Sequence, residues 1–384
     1  MPHGATLPAR VRAHRVVCLV KPRRRPGWLA ILAALALPMA AGAAPLDGLL
    51  SATPERSLAN GFVELGLDHM GDRLDFFRVK ESDPVNAGTA AGNYRGQHLS
   101  AGVRLPGDLW LSGSFWKRSL SDASDTHNYT SWQVAGQYRL LQAQGKLPTV
   151  ALRLSGWGNY ASAMESSTPV VVPGAKLDTV KISDPYDRQL QADLIGTWNL
   201  SPSTDLNLVL SAGTTRLGYG SLSATTTLDG CSYQLDFTGN AVHGVLARPC
   251  NAGIYLQEIY DDSGRLGIDV AKEIAWRGRF VQAGVGAVWY AQAWTFRSGY
   301  LFHAIKREAV DAILEQRGLP AYGHNHTIVL QAEYALHARI STFVRAQLSS
   351  NLFFNEIPVT YNTSTSERFG HRYSLYSVGL RATF

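Results

Sequence analysis

The C-terminal residues 372–384 alternate between apolar and polar side chains at every second position. The apolar face of this segment comprises Tyr376, Val378, Leu380, Ala382 and Phe384. The opposite face is polar and carries Arg381. A period of two predicts a β-strand whose two faces meet different surroundings. Because the apolar face ends on an aromatic residue, the segment favours a strand between lipid and water, a position that very few folds provide.

The same alternation recurs along most of the chain and predicts about fourteen strands, with a range of roughly twelve to sixteen. The predicted strands cover residues 60–69, 95–105, 108–118, 129–140, 149–160, 187–200, 204–216, 253–260, 266–275, 280–290, 294–303, 325–335, 339–350 and 372–384. Short turns and long loops alternate between them, which indicates an up-and-down order. One connection, residues 277–279, is short where a long loop is due. The predicted fold class is all-β, a transmembrane antiparallel up-and-down β-barrel.

The N-terminus is interpreted as an export signal. Seven Lys and Arg residues, and no Asp or Glu, precede the apolar run 28–41. The small-x-small pattern at its end makes residues 1–43 a cleaved signal peptide. Residues 44–59 are then a short periplasmic segment, and residues 60–384 form one barrel with long extracellular loops. Because the net charge of +6 comes from the signal, nucleic-acid binding is not expected.

Two cysteines, Cys231 and Cys250, follow the predicted signal peptide. An oxidising compartment outside the cytoplasm favours a disulfide between them. Two unpaired thiols are the alternative interpretation.

The nine residues 376–384 resemble the C-terminal signal of Gram-negative outer-membrane β-barrels, in which alternating apolar residues end on a terminal Phe. The resemblance implies a location in the bacterial outer membrane. It also implies two partners, the barrel-assembly machinery and the surrounding outer-membrane lipid with its lipopolysaccharide. A homo-oligomer is compatible with this class. The resemblance implies no particular activity.

Charged residues of both signs occupy the positions predicted to face the barrel interior. They are Glu64, Asp68, Arg104, Arg139, Arg153, Asp193, Arg297, Glu333, Arg345 and Arg381. Opposed charges across a lumen order water and favour polar solutes, which predicts a passive pore for small hydrophilic solutes. Alternatively, these residues pair with one another and fill the interior. About fourteen strands lie between the filled eight-stranded barrels and the open sixteen-stranded ones.

Two other functions compete with the pore. Residues 97–102 resemble the His-x-Ser-Asn-Gly stretch of outer-membrane phospholipases and lipid A deacylases, which implies a base at His98 and a nucleophile at Ser100. However, Ala101 replaces the Asn of that motif, and Arg104 shares the face of His98 and Ser100. Both residues are therefore predicted to line the lumen. The third alternative is a non-conducting partner in envelope assembly or export.

No cofactor or metal is expected from the sequence, which has no nucleotide-binding glycine motif and no zinc signature. His324 and His326 lie two residues apart, but no third metal ligand accompanies them.

Overall fold

The computed structural model describes residues 49–53, 60–70, 93–121, 125–167, 169–172, 175–248, 250, 256–266, 269–351, 356–363, 366–370 and 372–384. The predicted signal peptide, residues 1–43, lies outside the described residues. The described residues form nineteen strands: β1 Gly61–Met70, β2 Asn93–Leu105, β3 Leu109–Ser121, β4 Thr126–Leu141, β5 Thr149–Tyr160, β6 Ala163–Ser166, β7 Val170–Val172, β8 Ala175–Ser183, β9 Tyr186–Ser201, β10 Thr204–Gly218, β11 Ser221–Leu228, β12 Cys231–Thr238, β13 Ala241–Leu246, β14 Glu258–Asp262, β15 Arg277–Ala291, β16 Trp294–Arg307, β17 His324–His337, β18 Ile340–Ser349 and β19 Tyr373–Thr383.

Twelve of these strands close into an antiparallel barrel, in the order β1–β5, β9, β10 and β15–β19. The seam joins β1 to β19, with Leu65 opposite Leu380 and Glu64 opposite Arg381. Closure pairs every strand on both sides and leaves no free edge. The predicted all-β transmembrane barrel is confirmed, and its twelve strands fall at the lower end of the predicted range.

Side chains alternate between the two faces of the barrel wall. Large apolar residues point outward and are exposed, such as Leu190 at 68% and Leu67 at 62%, while inward Glu64 is only 4% exposed. A water-soluble protein would bury the apolar set, so this surface is made for lipid. The closed barrel with its apolar outside is an outer-membrane β-barrel, as predicted. No described helix is long and apolar enough to cross a membrane.

Five barrel turns of two to seven residues, which follow β2, β4, β9, β15 and β17, lie at one end of the barrel. The long connections lie at the opposite end, together with the four-residue connection between β3 and β4. Short turns are periplasmic in barrels of this class, so the long connections are extracellular.

Two of the predicted barrel strands are wrong. Of the predicted strand 253–260, residues 258–260 belong to β14, which is an edge strand of a second sheet and not of the barrel. Residues 266–275 contain helix α1 (Val270–Ile274). The Asp269 side chain caps this helix by accepting from the Lys272 backbone N–H, and Val270 and Ile274 are buried one helical turn apart. Residues 277–279, predicted as a break, begin β15 instead, which removes the anomaly in the order of turns and loops.

The second sheet covers the extracellular end. It has seven strands, β14–β13–β12–β11–β8–β6 with β7 paired to β8. They come from the β5–β9 and β10–β15 connections, and all of them except β14 lie in residues that were predicted to be loops. The structure joins Cys231 to Cys250 by a disulfide within this sheet. Helix α2 (Val310–Gln316) lies in the connection between β16 and β17 and buries Val310 and Leu314. We call the second sheet, α1 and α2 the cap.

Candidate functional site in the barrel lumen

Buried ion pairs connect neighbouring strands on one wall of the lumen. Arg381 on β19 contacts Glu64 on β1 at 2.6 Å and Glu333 on β17 at 2.8 Å. Arg345 on β18 contacts Glu64 at 3.1 Å, and Arg297 on β16 contacts Glu333 at 2.6 Å. Because the barrel register sets Glu64 directly opposite Arg381, the alternation that sends apolar residues to lipid also brings these charges together. We call these five residues the ion-pair network.

The ion-pair network leaves little charge unsatisfied. Its side chains are each no more than 10% exposed, so each carboxylate has lost most of its water. Buried charges are tolerated when they are paired and hydrogen-bonded. Further neutral donors and acceptors complete the network, since Ser341 donates to Glu333 at 2.6 Å and Arg345 donates to Gln331 at 2.8 Å.

His98 lies between two carboxylates. Its Nδ1 is 3.0 Å from Asp68 and its Nε2 is 3.2 Å from Glu64. The ring packs over Gly66, where any side chain would collide with it. Both ring nitrogens are therefore engaged, and His98 forms no hydrogen bond with Ser100 among the described residues. A lipid hydrolase needs one nitrogen for the nucleophile and a site open to lipid, and His98 faces the interior instead.

The remaining predicted charges lie elsewhere in the barrel. Arg153 and Asp193 form a buried pair at 2.7 Å on the wall of β5 and β9. Arg104 and Arg139 lie at the periplasmic rim, where both contact Asp108 of the β2–β3 turn, at 3.2 and 2.6 Å. Hydrogen bonds from Arg139 first, and then from Arg104, lower the pKa of Asp108. This exposed cluster is a rim contact rather than part of the lumen.

A segment outside the barrel wall occupies the periplasmic half of the lumen. The Ala52 backbone N–H donates to Thr197 Oγ1 at 2.8 Å. Gln137 Nε2 donates to the carbonyls of Ser51 and Ala52 at 3.0 and 3.2 Å. Ala52 also packs against inward apolar side chains, namely Ala151, Ile195 and Val209. Residues 49–53, part of the segment predicted to be periplasmic, thus lie against the inner wall. We call them the lower plug.

The connection between β18 and β19 crosses the extracellular half of the lumen. Its Glu356 carbonyl accepts a hydrogen bond from Asn159 on β5, at 2.8 Å. Trp276 donates to the Tyr361 carbonyl at 2.8 Å, and the Arg307 guanidinium lies 3.8 Å from the centre of the Tyr361 ring. Burial raises the pKa of Tyr361 to about 12. Residues 356–363 and 366–370 therefore bridge opposite walls, and we call them the upper plug.

The cap and the upper plug share a charged anchor. Glu273 of α1 is completely buried and pairs with Arg317, which follows α2. Thr363 of the upper plug also donates a hydrogen bond to Glu273. This carboxylate connects three segments that no strand pairing holds together.

The residues of the predicted assembly signal lie on the closing strand. Their side chains point outward, and Phe384 is 56% exposed. Phe384 also completes the seam, because its backbone N–H donates to the Gly61 carbonyl and its carbonyl accepts from Asn60, both at 3.1 Å. His324 and His326 likewise point outward. The part of the chain that the structure describes contains no group of three or more potential metal ligands.

The sequence pattern predicts neither plug and does not identify the residues that hold the plugs. Gln137, Asn159 and Thr197 are inward polar residues like many others, and only the folded barrel shows that they hold a separate segment. The inward Ala151 is a weak indication of the lower plug, because so small a side chain leaves room for another segment beside the wall.

No protein-family model matches the sequence, and no curated protein does either. Among solved structures, the chain is similar to the translocator domain of the autotransporter NalP from Neisseria meningitidis, with 9% identity and a TM-score of 0.47 over 86% of this chain and 90% of that one. It is also similar to the KdgM porin, with 9% identity and a TM-score of 0.34 over 84% and 99%. A third is the outer membrane protease OmpT from Escherichia coli, with 10% identity and a TM-score of 0.29 over 85% and 97%.

Proposed function

We propose that this outer-membrane barrel is a gated channel for small hydrophilic solutes and that the structure is its closed state. One observation carries the proposal: segments that are not part of the barrel wall enter the polar lumen from both ends and contact its inner wall. The predicted passive pore is thereby modified, because a gate is added to it.

The polarity of the lumen supports a hydrophilic solute. Inward positions of the barrel wall carry the ion-pair network together with Gln191, Gln282 and Gln331, all buried. Such groups can replace water around a polar solute, whereas an apolar solute would leave them without partners. Twelve strands about 4.8 Å apart and tilted by about 40° enclose roughly 24 Å between backbones. With the plugs withdrawn, this width leaves space for a narrow aqueous path.

The way the plugs are held supports gating. Every barrel strand is fully paired without them, so a plug can leave without breaking the main-chain ladder. Four hydrogen bonds with the Gln137 and Thr197 side chains hold the lower plug. At about 1 kcal/mol each, they are weak enough for reversible opening.

The experiment removes those four bonds, together with the hydrogen bond that Thr197 donates to Asn207 within the wall, and leaves the main-chain pairing of the barrel in place. The variant Gln137→Leu/Thr197→Val should increase the fraction of time open in planar bilayers by about tenfold to a hundredfold, because roughly 1 kcal/mol is lost per bond. The matched control is Gln133→Leu/Thr215→Val, since the Gln133 amide nitrogen and the Thr215 hydroxyl have no hydrogen-bond partner among the described residues. The control should conduct like the wild type.

Absence of conductance would contradict the channel proposal. If the wild type, the plug variant and a variant lacking residues 44–53 all show no conductance steps where a known porin conducts, the channel proposal fails. A folded but silent barrel would favour the third alternative, a partner in envelope assembly or export.

A further inference from the structure

Five cations form a patch on the lipid-facing side of the barrel. Arg188 of β9, Arg216 of β10, Arg277 and Arg279 of β15, and Lys306 of β16 are all exposed. Their positions are neighbours in the register. Arg216 is directly opposite Arg188 on one side and Arg277 on the other, and Arg279 is opposite Lys306. We call these five residues the outer basic patch.

The outer basic patch lies at the extracellular edge of the apolar band. Below Arg279, the outward positions of β15 are Val281, Ala283, Val285, Ala287 and Trp289. Ten residues separate Arg279 from Trp289, which corresponds to about 25 Å of height in a tilted strand. This is the height of the apolar band in barrels of this class. The patch is therefore level with the headgroups of the outer leaflet when Trp289 is level with those of the inner leaflet.

The patch is a concentration of like charge without a counter-charge. Like charges on directly opposite positions of neighbouring strands repel one another, and adjacent lipid strengthens the repulsion by lowering the local dielectric. None of the five cations forms a salt bridge with a described residue. Glu308 follows β16, and its backbone N–H donates to the Arg277 carbonyl at 2.7 Å. Arg188 contacts the Tyr186 ring, at 5.2 Å from its centroid. A bound anion would offset this repulsion.

We propose that the outer basic patch binds the phosphorylated headgroup of an outer-leaflet glycolipid, lipopolysaccharide. Guanidinium groups match phosphate oxygens in paired hydrogen bonds, and four of the five cations are arginines. The surface below them favours a lipid over a free anion. Leu190 and Leu210 are 68% and 59% exposed beneath Arg188 and Arg216, where the acyl chains of the same molecule would lie. The proposal goes beyond channel function and does not depend on conductance.

The experiment measures binding of bisphosphorylated lipid A to the refolded full chain in detergent micelles. Arg216→Gln/Arg277→Gln should weaken binding by at least about tenfold, because each charge-assisted hydrogen bond lost corresponds to roughly that factor. The matched control removes two exposed cations from periplasmic turns, in the variant Lys146→Gln/Arg339→Gln, and should bind like the wild type. Wild-type affinity should also fall as salt is raised.

Two further probes identify what is bound. Dephosphorylated lipid A should bind the wild type at least about tenfold more weakly, and millimolar inorganic phosphate should not displace bound lipid A. Equal affinity for the two lipid A forms would overturn the proposal, as would equal losses in the two double variants. Complete displacement by inorganic phosphate would replace the glycolipid site with a simple anion site. All variants must show the wild-type thermal unfolding midpoint.

Discussion

Arg381 belongs both to the polar face of the closing strand and to the ion-pair network. In the sequence it is one polar residue in the alternation of the closing strand. In the barrel it lies between Glu64 and Glu333, at 2.6 and 2.8 Å, and so connects strands from the two ends of the chain. The sequence predicted the inward direction of the charges in the ion-pair network and offered mutual pairing as one alternative, but not which residues pair, because the partners depend on the register between strands distant in sequence.

Removing Arg381 should strongly destabilise the barrel. Arg381→Leu removes one cationic partner from each of two buried carboxylates, Glu64 and Glu333. We therefore expect the free energy of unfolding to fall by about 3–5 kcal/mol. The control Arg339→Leu removes an exposed cation from the β17–β18 turn and should change that energy by less than about 0.5 kcal/mol. Urea unfolding in lipid vesicles measures both variants. Equal, small effects would show that the ion-pair network contributes nothing to stability.

At the scale of elements, the sequence predicted the strands that separate lipid from water. Twelve of the predicted strands are barrel strands because their alternation reflects those two solvents. The alternation of β11 has a different cause, since Leu222 and Ala224 are buried inside the cap. A period of two therefore could not distinguish a barrel strand from a cap strand. The plugs have no periodicity and depend on the shape of the finished lumen.

The cap should depend on its disulfide more than the barrel does. Cys231 and Cys250 are separated by 19 residues, and a cross-link over a loop of this size stabilises by roughly 3 kcal/mol. In Cys231→Ser/Cys250→Ser we expect faster proteolysis within residues 219–250 while the barrel stays folded. Reduced wild type should behave in the same way. Loss of the folded barrel in either sample would contradict the independence of the two sheets.

At the scale of the whole molecule, the chain combines a rigid wall with segments that occupy its interior. The wall is closed by main-chain pairing from β1 to β19. The lower plug, the upper plug and the cap are attached to it mainly by side chains, such as Asn159 and Gln137. This division of bonding is what a gate requires, because one part can move while the other stays in place.

The most direct test of the gate is a reversible lock on the lower plug. Because Ser51 Oγ lies 3.3 Å from Thr197 Oγ1, Ser51→Cys/Thr197→Cys places two thiols close enough for a disulfide. We predict that this variant conducts in a planar bilayer when reduced and stops conducting when oxidised, while the wild type is unchanged by the same reagents. Conductance that is the same in both states, or absent in both, would contradict a channel gated by the lower plug.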